Sequence, residues 1–79
     1  MYKEVFKIRI KQIRQELGLT QNQVSKETEI DQSRISKYES GELQPDLEKL
    51  GILANYYEVS IDWLLGNPYS GKRGKDVQE

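Results

Sequence analysis

From Phe6 onward the apolar residues recur at intervals of three and four. Phe6, Ile10, Ile13 and Leu17 are separated by four, three and four positions, which places them on one face of an α-helix. Leu47, Leu50, Leu53, Ala54 and Tyr57 form a second stripe of the same period. A chain patterned in this way builds its core by packing helix on helix, so the expected fold class is all-α. No internal repeat appears.

The helix boundaries are marked by polar caps and glycines. Gly18 ends the first helix, and Thr20-Gln-Asn-Gln23 has the capping-box pattern, so a second helix of about two turns is expected from Gln21. Asp31 is the expected N-cap of a third helix running from Gln32 to Glu39, with Ser40-Gly41 as its stop. Only Glu29, Ile30 and Asp31 separate the two. Pro45-Asp46 marks the start of the fourth helix, and Ser60 caps a short fifth one, Ile61 to Leu65, that ends at Gly66-Asn67-Pro68. Val24, Ile30 and Ile35 have the spacing to lock the second and third helices against Ile10, Ile13 and the fourth. Residues 1–66 are read as one domain and 67–79, rich in glycine and charge, as a flexible tail.

Seventy-nine residues leave a thin margin of stability, because a domain of this size buries only around 60% of the surface its unfolded chain exposes. Without cysteine there is no disulfide framework, and without cysteine or histidine the usual structural zinc sites cannot be built, so no metal and no cofactor are expected. The N-terminal stretch carries a charge every two or three residues and lacks the apolar run of a signal peptide or membrane span. A cytoplasmic protein with no membrane partner is expected. An enzyme is not, since no histidine, cysteine or phosphate-binding glycine loop is present and the acids are scattered.

The net charge is −1, but it is unevenly spread. Residues 1–26 carry six basic groups against two acids, residues 27–65 three against nine, and residues 66–79 three against two. That asymmetry permits a basic face on an acidic body. Two short helices joined by a tight turn, the second with small and hydrogen-bonding groups outward, suit entry of the second helix into a DNA major groove roughly 12 Å wide.

The stretch IRQELGLTQNQVSKETEIDQSRISKYESGELQP, followed by LEKLGILANYYEVSIDWLLG, resembles the Cro and phage-repressor family of helix-turn-helix proteins, also named for xenobiotic-response-element repressors. The resemblance covers about residues 5 to 66. Its motifs are Gly18-Leu-Thr-Gln21, Ile35-Ser-Lys-Tyr-Glu39, Gly41 with Pro45, and Val59-Ser-Ile-Asp-Trp-Leu-Leu65. It implies a compact five-helix, lambda-repressor-like DNA-binding domain whose second and third helices form the helix-turn-helix. It also implies roles. Gln21 bonds a phosphate and the first side chain of the recognition helix. Gln32, Ser33 and Lys37 face the bases, where Gln can pair with adenine, Lys can donate to guanine, and Ser can serve several partners. Arg34 and Ser36 are expected at phosphates, as are N–H groups near Ser40 and Gly41. Arg14 and Glu39 match a pair that joins the first helix to the third.

The chain departs from the family at Glu29 and Glu58, both frequent glycine positions, and at Ser25, which stands where relatives carry a small apolar residue. A module this small buries only ~600 to 1,000 Å² on DNA, so a homodimer on a pseudo-palindromic operator is expected, with half-sites about 34 Å apart. Tyr56, Glu58, Val59 and Trp63, near the junction of the fourth and fifth helices, are the expected dimer surface. The function implied is transcriptional regulation by a bacterial or phage-encoded protein, foremost as a repressor, with no small-molecule ligand evident. The alternative is an antitoxin or helical adaptor that binds another protein, which the acidic middle would suit.

Overall fold

The computed structural model describes residues 2–67, and the expected tail beyond Asn67 lies outside them. Five helices follow one another: α1 (Tyr2–Glu16), α2 (Gln21–Thr28), α3 (Gln32–Ser40), α4 (Leu47–Tyr57) and α5 (Ile61–Leu65). No strand occurs among the described residues. The starts of α2 to α5 match the expected ones, and α3 runs one residue past its expected last residue, Glu39. Among the described residues, no helix is long and apolar enough to cross a membrane.

Local chemistry fixes the starts of α2, α4 and α5. Thr20 accepts from the Gln23 N–H at 3.1 Å while the Gln23 side chain accepts from the Thr20 N–H at 2.7 Å, which completes the capping box. Asp46 accepts from the Lys49 N–H at 2.8 Å and Ser60 from the Trp63 N–H at 2.9 Å. Asp31 corrects the expectation: it occupies the N-cap position of α3 with φ −47° and ψ 138°, and its side chain makes no capping bond.

One continuous core joins Phe6, Ile10 and Ile13 of α1 to Val24, Ile30, Ile35 and Tyr38 of the α2–α3 unit and to Leu50, Leu53, Ala54, Tyr57, Val59 and Leu64. The α1 helix packs on α3 and α5, while α2 packs on α3 and α4. Two expected core positions are outside it. Leu17 is 52% exposed, because α1 ends at Glu16 and the left-handed Gly18 (φ 71°) turns the chain so that Leu19 packs on the core instead. Leu47, the first residue of α4, is 85% exposed, and burial in that helix begins at Leu50. Arg9 ties α5 to α1: its guanidinium donates to the Trp63 carbonyl oxygen and lies 4.8 Å from the centre of the indole ring.

The two family departures carry the backbone that glycine would have supplied. Glu29 (φ 63°) and Glu58 (φ 59°) are both left-handed, and they terminate α2 and α4 by donating their N–H groups to Ser25 and Asn55 carbonyl oxygens. Each side chain is exposed, so neither left-handed residue is held by burial in the core. We expect Glu29→Gly and Glu58→Gly each to raise stability by up to about 1 kcal/mol, read as a higher thermal midpoint. A midpoint that falls in both variants would show that the glutamate side chains stabilise these turns.

Candidate nucleic-acid interface

The outer face of α3 is held in place from behind. Ile35 and Tyr38 point into the core, which leaves Gln32, Ser33, Ser36 and Lys37 exposed along the other side. At the C-terminal end of the helix, Glu39 is the anchor. Arg14 of α1 reaches it with two parallel bonds, Nε to Oε2 at 2.7 Å and Nη2 to Oε1 at 2.8 Å, and donates a third, from Nη1 to the Leu19 carbonyl oxygen, at 2.9 Å. Both side chains are largely withdrawn from solvent, 12% exposed for Arg14 and 4% for Glu39. The hydrogen bond to Glu39 raises the Arg14 pKa above its ordinary value, against the opposing effect of burial.

From Glu39 the network continues toward the recognition face. Gln21, at the start of α2, donates from Nε2 to Glu39 Oε1 at 3.1 Å, and its own Oε1 accepts from Gln32 Nε2 at 3.3 Å. The expected link between Gln21 and the first residue of α3 is therefore present in the free protein. Four side chains, Arg14, Glu39, Gln21 and Gln32, join α1, both ends of α3 and the start of α2. Tyr57 lies close enough to feel this pair electrostatically. Burial, ahead of the charge of Glu39, pushes its phenol well above the usual range.

The remaining expected contact residues divide. The exposed Arg34 lies near the Tyr38 phenol one turn on; burial, the larger effect, raises the Tyr38 pKa, and the charge of Arg34 opposes it. The N–H groups at the end of α3 are already occupied. Gly41 N–H donates to the Lys37 carbonyl oxygen at 3.1 Å, Leu43 N–H to the same oxygen at 3.3 Å, and Glu42 N–H to Ser40 Oγ at 3.3 Å. Of the N–H groups near Ser40 and Gly41 expected at phosphates, that of Gly41 is bonded within the helix's own C-terminal turn.

Two lysines that the sequence reading did not single out approach this end. Lys7 of α1 lays its side chain over Gly41, where a Cβ would come within 2.8 Å of the Lys7 Cδ. Lys7 and Lys11, with Ile8, Gln12 and Gln15, line a shallow groove that ends on Glu39. The signal lay in the positive N-terminal third, which names no single residue.

On another side, Ile13, Glu16, Leu17, Tyr56, Tyr57, Glu58 and Val59 line a cleft of about 460 Å³. Of the four residues expected at a dimer surface, Tyr56 and Glu58 stand at this cleft with accessible side chains. The Tyr56 hydroxyl donates to Glu27, a bond that pushes its pKa up to about 12. Val59 is 5% exposed and belongs to the core, so its side chain offers no surface to a partner. Trp63 is half-buried, with Arg9 over its ring.

Comparison with known proteins agrees with this geometry. The chain is 36% identical over 67 residues to the HTH-type transcriptional regulator ImmR of Bacillus subtilis, a match covering 85% of this chain and 53% of that protein. It is 40% identical over 58 residues to the uncharacterized HTH-type transcriptional regulator YobD of the same organism, covering 73% of this chain and 52% of the relative. The HTH-type transcriptional activator BcrR of Enterococcus faecalis is 35% identical over 60 residues, which is 76% of this chain and 29% of that protein. The chain thus spans about half the length of the first two relatives, and no solved structure matches it significantly. Residues 10–64, from the middle of α1 to the end of the core in α5, match the helix-turn-helix family model, and the chain belongs to that family.

Proposed function

We propose that the chain binds double-stranded DNA in a sequence-specific way, with α3 in the major groove, and regulates transcription. The observation that carries this reading is the exposed face of α3, whose Gln32, Ser33 and Lys37 project from a helix fixed by the bidentate Arg14–Glu39 pair. Gln32 is aimed by Gln21, and Lys37 supplies a mobile donor for guanine. In this reading Lys7 and Lys11, which line the groove ending on Glu39 of α3, bring positive charge toward the phosphates, and Arg34 and Ser36 contact phosphates as well. The names of the relatives, which include regulators and an activator, support the regulatory role. We infer repression, by occupancy of a promoter, as the direction of that regulation.

The functional unit in this reading is a homodimer on a pseudo-palindromic operator. The half-apolar cleft that holds Tyr56, Glu58 and the exposed Leu17 supports a second copy at that face. Selection from a random DNA library is expected to yield two related half-sites about one helical turn apart, with affinity that falls steeply as salt rises. Recovery of no preferred sequence, together with salt-insensitive binding to another protein, would replace this reading with that of an antitoxin or helical adaptor.

A further inference from the structure

A groove separate from the Tyr56 cleft, of about 330 Å³, opens between the start of α4, the first half of α1 and the end of α5. The buried Phe6 and Leu50 line it from the core, with the half-buried Leu65 beside them. Pro45, Asp46 and Leu47 line it at the surface. Leu47 is 85% exposed, the most open of the large apolar side chains among the described residues. One exposed leucine is ordinary, but here it borders an apolar groove that reaches the core, and uncovered apolar surface of this kind marks a site of contact.

The chain itself arrives at this groove. Leu65 lines it, and at Gly66 the backbone turns left-handed (φ 88°) against α1, where a Cβ would come within 3.1 Å of Val5 Cγ1. Pro68 then disfavours helical backbone at Asn67, so α5 cannot continue. The described structure ends at Asn67, and the apolar side chains of residues 68–79 are Pro68, Tyr69 and Val77. Tyr69 is four residues past Leu65, a span of at most about 14 Å that exceeds the width of a groove of this volume. Val77 is twelve past it, with Gly71 and Gly74 between, and bringing it back costs more entropy. We propose that the segment Pro68–Tyr69 closes the groove, with the Tyr69 ring over Leu47 and Leu65 and its hydroxyl donating to the Asp46 carboxylate. Asp46 has the capacity: its Oδ1 accepts from the Lys49 N–H at 2.8 Å, and a carboxylate offers about four acceptor sites. A tyrosine suits the place, because its ring meets apolar walls while its hydroxyl meets a polar rim. A second copy suits it less. Two copies joined here about a two-fold axis would turn Asp46 and the adjoining Glu48 of each toward those of the other.

The test uses the full chain with Tyr69→Ala, Tyr69→Phe and Leu47→Ser, the last also combined with Tyr69→Ala. It reads the thermal midpoint and the proton–proton contacts in nuclear magnetic resonance spectra. In the parent, at a concentration where the chain is monomeric, the Tyr69 ring protons are expected beside the methyl groups of Leu47 and Leu65. Tyr69→Ala lowers the midpoint by about 4 to 8 °C, and Tyr69→Phe, which keeps the ring, lowers it less. Leu47→Ser lowers the midpoint of the parent more than that of Tyr69→Ala, where its contact is already gone. An unchanged midpoint in Tyr69→Ala, effects that simply add, or a Tyr69 ring with no neighbour in the groove overturns the proposal. Contacts of Leu47 that form between differently labelled copies, vanish on dilution and survive Tyr69→Ala give the groove to a second copy and overturn it equally. These readouts need no DNA, so the outcome is independent of the DNA-binding reading.

Discussion

Arg14→Ala is expected to unfold most of the protein at temperatures the parent chain survives, with a loss on the order of 3 to 5 kcal/mol. The variant leaves the Glu39 carboxylate, whose side chain is 4% exposed, with the Gln21 amide as its one side-chain donor among the described residues, and strips the Leu19 carbonyl of its Arg14 bond. A domain of this size has a total stability of roughly 3 to 10 kcal/mol, so a loss of that order consumes much of it. The thermal midpoint would drop by about 12 to 40 °C. Replacing both partners, as in Arg14→Met with Glu39→Leu, removes the orphaned charge and is expected to restore most of the stability. That double variant would still bind DNA weakly, because Gln21 has lost the carboxylate that positions it. An unchanged midpoint in Arg14→Ala accompanied by an altered base preference would mean that Arg14 contacts DNA and that its place as an anchor is wrong.

The pair was legible in the sequence only through the family resemblance, since nothing in the spacing of Arg14 and Glu39 brings α1 to α3. The helices themselves were legible from local chemistry. Thr20 with Gln23, Asp46 and Ser60 mark their starts by bonds within one turn, and the structure makes each of those bonds. Failures came where tertiary geometry decides. Leu17 keeps the helical spacing of Phe6, Ile10 and Ile13 but falls after the last turn, where Gly18 hands its place to Leu19. Asp31 has the right residue type for a cap and the wrong use.

The interface divides along the same line. The exposure of Gln32, Ser33 and Lys37 follows from the burial of Ile35 and Tyr38 on one helix, so periodicity sufficed. Lys7 over Gly41 and Arg9 over Trp63 cross between elements far apart in sequence, and only the fold brings them together. Glu29 and Glu58 fall between these cases. Their left-handed backbone was foreseeable because relatives place glycine there, and the structure shows that the turn is kept while the strain is accepted.

The second large effect is expected on binding rather than folding. Gln21→Ala removes the one side chain that bonds both Glu39 and Gln32. Glu39 keeps its two bonds from Arg14, so stability should fall by no more than about 1 kcal/mol, the value of an ordinary hydrogen bond. Affinity for the selected operator should fall about 10- to 100-fold, because the phosphate contact goes and Gln32 loses the partner that orients its amide. The two losses leave different marks. Loss of the phosphate contact weakens all sequences alike and, because the amide is uncharged, leaves the salt dependence unchanged, whereas the freed Gln32 relaxes preference at a single base pair. Gln32→Ala should reproduce the relaxed position without the uniform loss of affinity on other sequences. If Gln21→Ala instead binds every sequence as tightly as the parent, the Gln21–Gln32 bond is a property of the free protein alone, and Gln32 is positioned by the DNA it meets.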